Sequence, residues 1–460
     1  MKIRKKITEA SVSLALTVCL AVGGFFALPA QKAVSAPAQP TSSHSESSLP
    51  ESSNLSSETS SNPSSEESSK QASSTGQASS GQAQSSKPPA ASSKPKVPVS
   101  SKPSSSSRPA VQSPSVTVPS GNYVVGYYAS WARGSGLPPE KLDASLLTHI
   151  HYAFANMNAN GDLLLPYPTT DKKNFDGLNM LKQQNPGLKT LISVGGWEYS
   201  SNFSAVAASA SKRENFARNC VDFLLQYGFD GVDLDWEFPR SADRENFTLL
   251  LKEIRRQLNE QSAQDGRKYL LTFAGSPSPS LAKEMDLSAV SSLVDYIFMM
   301  GYDIHGPWDS YADFNAPIYI TDQSSPQYKI SLSDGVRTYK NAGVPAKKII
   351  LGMPFYGYKY ETSGGGYNGL FSRFSSAGSI GYDKLAANYL SNPDFTRYFD
   401  EKARVPYLYD GSTFISYDDE SSIAEKVSFA KANSLGGVGA WELSHDKNFR
   451  LLKSAVNALR

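Results

Sequence analysis

The sequence predicts an α/β fold, a (β/α)8 barrel carrying a small α+β insertion after its seventh strand. Three observations lead there. Between residues 121 and 460, eight short apolar runs alternate with amphipathic stretches, and strands that alternate with helices build a mostly parallel sheet. No Gly-rich phosphate loop follows any of these runs, which removes the usual function of the alternative arrangement, an open doubly wound sheet. The segment between the seventh and eighth runs is too long for one connecting helix.

Residues 1–38 read as an export signal. Lys2, Arg4, Lys5 and Lys6 precede an apolar run from Val12 to Leu28, and Ala30 and Ala38 offer cleavage points after it. That run is at the edge of spanning length, so an uncleaved membrane anchor is the second reading. Residues 39–120 collapse to Ser, Pro, Ala, Gln and Lys. Such a segment cannot bury enough apolar surface to offset its ordering entropy, so a disordered linker or stalk is expected. It turns from acidic (Glu46 to Glu67) to basic (Lys87 to Arg108), and it either holds the folded region off the cell surface or touches the cell wall.

Strands are expected at Tyr123–Ser130, Leu147–Asn156, Lys189–Gly195, Gly231–Glu237, Tyr269–Gly275, Tyr296–Tyr302, Lys348–Pro354 and Gly436–Glu442. Helical patterns fall between most of them, at Ser211–Tyr227, Arg244–Gln261, Ser333–Asn341 and Ser421–Asn433. Cys220, in the first of these helices, sits among apolar positions and reads as packed rather than nucleophilic. The only other cysteine is Cys19 in the signal, so the exported chain cannot form an internal disulfide and its stability must come from a large core. Residues 358–413 form the insertion. It lies on the seventh strand-to-helix connection, on the catalytic face of a barrel, and should wall one side of a cleft.

Chemistry concentrates in residues 229–238, Phe-Asp-Gly-Val-Asp-Leu-Asp-Trp-Glu-Phe. Asp233, Asp235 and Glu237 alternate with Val232, Leu234 and Trp236, so a strand places all three carboxyls on one face. Like charges so close raise at least one pKa and hold a proton between neighbours. A carboxyl protonated at neutral pH is what a general acid needs.

Five motifs then align with one family. Ser193-Val-Gly-Gly-Trp197, Asp230-Gly-Val-Asp-Leu-Asp-Trp-Glu237, Met300-Gly-Tyr-Asp303 and Gly352-Met-Pro-Phe-Tyr-Gly357 stand at the ends of different expected strands, and Trp441 at the end of the last. In these motifs the chain resembles a family 18 glycoside hydrolase, a bacterial chitinase with the α+β insertion, over essentially all of residues 122–460. The resemblance implies a TIM barrel that cleaves β-1,4-linked N-acetylglucosamine polymers by substrate-assisted, retaining hydrolysis. It implies Glu237 as the acid, Asp235 orienting the substrate's acetamide, Asp233 sharing a proton with Asp235, and Tyr302 donating to the attacking acetamide oxygen. Asp303 and Tyr356 would hold the same group. Trp441 would be the floor under the reacting sugar, with Trp197 and Trp308 as further platforms and Met300 and Phe154 as supporting packing. Trp236 alternates away from the carboxyls and divides between cleft and core. The mechanism needs no metal and no cofactor. His149 and His151 alternate like a metal pair, but no partner ligands stand out, so structural roles are expected for both. Ser193 reads as a hydrogen-bond partner within the carboxyl cluster, and His305 and His445 as loop residues that could line the cleft.

The expected partner is chitin or its oligosaccharides, with cell-wall contact through the linker. A net charge of +2 is too balanced to suggest nucleic acid. Peptidoglycan hydrolysis, a non-catalytic lectin and cleavage of N-glycan cores are the rival readings. The chain is expected as an exported monomer, since a barrel of this size buries its own core.

Overall fold

The computed structural model describes residues 117–321, 329–364 and 366–460. The expected export signal and residues 39–116 of the expected linker lie outside them. Fourteen strands follow in chain order: β1 Tyr123–Ala129, β2 His149–Met157, β3 Leu163–Leu164, β4 Lys189–Gly195, β5 Gly231–Asp235, β6 Leu270–Gly275, β7 Tyr296–Met299, β8 Ile349–Pro354, β9 Tyr356–Thr362, β10 Phe374–Gly381, β11 Thr396–Asp400, β12 Val405–Tyr409, β13 Thr413–Ser416 and β14 Gly437–Trp441.

Eight of them, β1, β2, β4 to β8 and β14, pair in parallel with their neighbours, and β1 meets both β2 and β14, closing the barrel. The short β3 pairs antiparallel on the end of β2. Helices return the chain from strand to strand, among them Pro168–Gln184, Ala210–Tyr227, Arg244–Asp265, Leu332–Asn341, Glu420–Ala432 and Arg450–Leu459. Their ends follow ordinary capping rules. Ser209 accepts from the Lys212 amide at the start of the second, and Gly228 closes it in the left-handed region at φ 77°. Cys220 is fully buried in this helix, in the layer that packs on the barrel wall.

The strand interiors are nearly all buried because helices cover one side and barrel-filling side chains the other. Two large aromatic-rich cores result, beside a smaller cluster of Leu385, Leu408, Ile415 and Tyr417 in the insertion. One fills the space between helices and barrel, and the other holds Tyr127, Tyr296, Phe298, Met300, Tyr302 and Tyr356 at the barrel axis and under the insertion.

The insertion is a five-stranded antiparallel sheet in the order β10-β9-β13-β12-β11. Only Phe355 separates β8 from β9. Its backbone is held on both sides, donating to Trp441 O at 2.8 Å and accepting from the Tyr382 amide at 2.9 Å.

Several strands are shorter than the sequence predicts, and two of these differences move site residues. β5 ends at Asp235 because the backbone there turns to the loop after β4: Gly196 N donates to Asp235 O at 2.7 Å, and Glu237 N donates to Ser200 Oγ at 2.9 Å. β7 ends at Met299, and Asp303 N and Ile304 N bond instead to Asn315 Oδ1 and O, at 2.8 and 2.9 Å. Glu237 and Tyr302 therefore stand on the loops above the barrel rather than on its strands. Among the described residues no helix is long and apolar enough to cross a membrane.

Candidate active site

Register brings the site together. Ser193, Asp233 and Thr272 are neighbours across β4, β5 and β6, and Tyr127 pairs with His151 across β1 and β2. Their side chains meet on Asp233, which is fully buried. Tyr127 and Ser193 donate to its Oδ2 at 2.8 Å each, and Thr272 donates to Oδ1 at 2.6 Å. His151 Nδ1 lies 3.2 Å from Oδ2, at electrostatic contact but off the hydrogen-bond direction, while its Nε2 is 2.7 Å from the Tyr296 hydroxyl. Burial alone would raise Asp233. The facing histidine and the hydroxyl donors outweigh burial and hold this carboxyl below its usual range. Asp233 is the anion of the row.

Asp235 is the opposite case. It is 4% exposed and its Oδ1 has no hydrogen-bond partner. Burial first, then the charges of Glu237 and Asp233, push its pKa well up. Glu237 lies further out and is partly open to solvent. Burial and the Asp303 charge raise it from 4.5 to about 7, against the lowering hydrogen bond of the Trp197 amide. Going outward, the row reads lowered, raised, and poised near neutrality.

That spacing needs two glycines. Gly195 has φ 112°, and a Cβ there would sit 2.2 Å from Asp235 O. Gly196 has φ 80°, and a Cβ would meet the Phe154 ring at 2.7 Å. Any side chain at either position would push Asp235 or Phe154 away.

The facing wall comes from the loop after β7 and from β9. Tyr302 is buried, and desolvation and the Asp235 charge keep its hydroxyl well above its ordinary pKa, so it remains a donor. Asp303, at φ 55°, accepts from the hydroxyls of Tyr356 and Tyr358. It is accessible to solvent, yet protein closes round it on several sides. Desolvation raises its carboxyl and the two tyrosines work against the rise. Met300 is packed beneath Tyr302 in the axial core.

Trp441 ends β14 half-buried, stacked on Phe154 with ring centres 5.6 Å apart and Trp131 edge-on at 6.4 Å. Trp197 and Trp308 are 78% and 57% exposed, too open for core residues. Trp236 belongs to the core, lying flat on Phe203 at 5.1 Å. His305 does not line the site as a loop ligand would, whereas the part-exposed ring of His445 stands 6.2 Å from that of Tyr356. His305 is buried between Asp309 and Asp313, and His445 leans on Glu442. His149 packs between the rings of Tyr123 and Tyr296, where burial drops its pKa to about 3.

The sequence reading missed Tyr127, Thr272 and Tyr358, and it gave His151 no place beside the carboxyls. The available signal was a polar residue facing inward from an apolar strand, at the height of Asp233.

The family profile of Glycosyl hydrolases family 18 matches residues 123–446. Chitinase A1 of Niallia circulans is 38% identical over 396 aligned residues, covering 71% of this chain, and the chain spans 56% of that protein's length. Among solved structures, a family 18 N-acetylglucosaminidase from Paenibacillus barengoltzii superposes with a TM-score of 0.68 at 34% identity, over 73% of this chain and 99% of the other. A class V chitinase of Nicotiana tobaccum, solved as a Glu-to-Gln mutant in complex with NAG4, gives 0.67 at 30% identity, over 74% and 99%. With the barrel, the carboxyl row and a profile match across both, the chain belongs to glycosyl hydrolases family 18.

Proposed function

We propose that this protein hydrolyses β-1,4-linked N-acetylglucosamine polymers, chitin first among them, with retention of configuration and with the substrate's own acetamide as nucleophile. The observation that carries this reading is the graded row: Asp233 held ionised, Asp235 raised, Glu237 at about 7. A protein nucleophile would need an ionised carboxylate facing the anomeric carbon, beside a protonated acid. A row with two raised members suits a reaction that needs protonated groups in the protein and draws its nucleophile from the sugar.

Glu237 gives its proton to the glycosidic oxygen as that bond to the anomeric carbon breaks. The acetamide carbonyl oxygen bonds to the anomeric carbon, leaving a positive oxazolinium ring. Asp235, whose Oδ1 has no partner in the free protein, accepts the acetamide N–H at that oxygen and so holds the nitrogen in place as charge grows on it. Asp233 supports it electrostatically from below. Tyr302 donates to the attacking oxygen, and Asp303, braced by Tyr356 and Tyr358, fixes the group from the facing side. Glu237, now a carboxylate, takes a proton from the water that reopens the ring. Trp441 stacks on the apolar face of the sugar at the reacting position, backed by Phe154, while Trp197 and Trp308 extend the platform. On this reading the protein acts outside the cell as a monomer, exported by residues 1–38, with residues 39–120 as a stalk or as a tail that touches the cell wall.

The test incubates the purified protein and its Glu237→Gln variant with chitin hexasaccharide and with peptidoglycan. Short N-acetylglucosamine oligomers from the parent, reduced about 10²- to 10⁴-fold in the variant, support the proposal. Cleavage of peptidoglycan alone moves the enzyme to wall turnover, and binding without cleavage makes it a lectin.

A further inference from the structure

The loop that leaves β7 carries Tyr302, Asp303 and Trp308 of the proposed site. It is held by a buried charged cluster that the mechanism above does not use. His305 is 2% exposed, and both of its ring nitrogens face carboxylates: Nδ1 is 2.9 Å from Asp309 Oδ2 and Nε2 is 3.4 Å from Asp313 Oδ2. An ionised carboxylate only accepts, so a ring that meets one at each nitrogen is satisfied when it carries both protons. Burial opposes that charge, but the Asp309 hydrogen bond and the two negative neighbours outweigh it and keep the imidazole above its usual pKa.

The cluster is also a joint. From the insertion side, the fully buried Tyr360 of β9 feels both Asp309 and Asp313, and its hydroxyl has no hydrogen-bond partner. The loop backbone is stitched to the insertion through Phe371 N to Ala312 O and Ala312 N to Ser372 O, both 2.8 Å. Trp308 stands edge-on to Tyr358 at 5.8 Å and is otherwise open. His305 thus lies between the residue that fixes the acetamide and the exposed aromatic that extends the platform.

We propose that His305 is a positioning residue: as an imidazolium clamped between Asp309 and Asp313 it fixes the loop that presents Asp303 and Trp308 to a bound N-acetylglucosamine chain, and it slackens that loop when it loses its proton. The proposal rests on the sugar-binding reading above. Once the ring is neutral, one nitrogen turns a lone pair toward a buried carboxylate, and that carboxylate loses its imidazole donor while keeping its backbone one, Gly306 N for Asp309 or Phe314 N for Asp313. Asp309 and Asp313 face the ring from its own loop, and Tyr360 faces the cluster from β9. The folded protein holds this proton more tightly than the unfolded chain, so the clamp is in place at low pH and is lost as pH rises through the raised value.

Two measurements test it. The first is hydrogen exchange on the unmutated, sugar-free protein at about pH 6 and about pH 9. Corrected for intrinsic exchange, amides of residues 304–313 should lose roughly tenfold in protection at the higher pH, while the barrel strands keep theirs. The second is calorimetric binding of chitotetraose to Glu237→Gln, which removes turnover and the titration of Glu237 together. Its Kd should weaken about tenfold between the same two pH values. In Glu237→Gln/His305→Gln and in Glu237→Gln/Trp308→Ala, binding should be weak and independent of pH. Loop protection unchanged by pH overturns the clamp, and so does a Glu237→Gln/His305→Gln protein that binds as tightly as Glu237→Gln. If Glu237→Gln binds no sugar while the loop still responds to pH, the clamp is supported and the sugar-presenting role is overturned.

Discussion

Replacing Glu237 with Gln should cut activity about 10²- to 10⁴-fold and at the same time make the protein more stable, but only above neutral pH. Glu237 is raised from 4.5 to about 7 in the folded protein, a difference of roughly 3 kcal/mol between its two protonation states if none of it relaxes. The carboxyl is partly open to solvent, which lets water offset part of this and leaves about 1–3 kcal/mol. The sign follows from proton binding. The folded state holds this proton more tightly than the unfolded chain, so the stabilisation it brings is complete below about pH 4.5 and is lost as pH rises through about 7. Glutamine cannot ionise, yet its amide oxygen still accepts from the Trp197 amide. Relative to the parent, Glu237→Gln should therefore be equally stable at about pH 4 and more stable by about 1–3 kcal/mol at about pH 8. For a folded part of roughly 340 residues the unfolding entropy is about 0.7 kcal/mol/K, so Tm should rise by about 1–4 °C at the higher pH. Urea unfolding of both proteins at matched ionic strength, with calorimetry alongside, reads the difference. A variant no more stable than the parent at about pH 8 would refute the assignment of a strained anion to Glu237. An equal gain at both pH values would point to packing instead.

Other outcomes follow from the same geometry. On a soluble oligosaccharide, log kcat/KM should fall with a slope near −1 above about pH 7, as Glu237 loses the proton it must donate; a flat profile to about pH 9 would exclude Glu237 as the acid. Gly195→Ala forces a Cβ to 2.2 Å from Asp235 O at φ 112°, so denaturation should show a loss of about 3 kcal/mol or more. Trp236→Ala should destabilise the core by about 3–5 kcal/mol, whereas Trp441→Ala should weaken oligosaccharide binding about tenfold, which thermal melts and calorimetry separate. Tyr127→Phe removes one donor from a buried anion and should lower stability by about 1–3 kcal/mol at neutral pH.

The carboxyl row was legible because it is local. Alternation along one chain segment is visible in the sequence, and β5 realises it for Asp233 and Asp235. The barrel was legible for the same reason, as eight runs in order. The surroundings of Asp233 were not. Tyr127, His151, Ser193 and Thr272 come from four other strands, and only register brings them to the same height. Only Ser193 was marked, by its Ser-Val-Gly-Gly-Trp motif; Tyr127, His151 and Thr272 have no local pattern that ties them to the carboxyls. Glu237 and Tyr302 were found by motif but set on strands. The structure moves them onto loops because backbone bonds to Ser200 and Asn315, distant in sequence, end the strands early.

The insertion leaves the barrel along β9 and comes back along β13, and these two strands are paired neighbours, with Tyr358 beside Ser416. Its way out and its way home are thus a single antiparallel ribbon, closed at the barrel end. Beyond that ribbon the insertion could grow or shrink without moving the eight strands beneath it, provided that Phe371 and Ser372 still hold the loop after β7. Tyr356 and Tyr358, which brace Asp303, sit at the root of the ribbon, on the barrel's side of any such exchange. The height of the wall over the substrate can therefore change while the reacting groups stay in place, so a lineage can retune which polymers fit without relearning how to cut them.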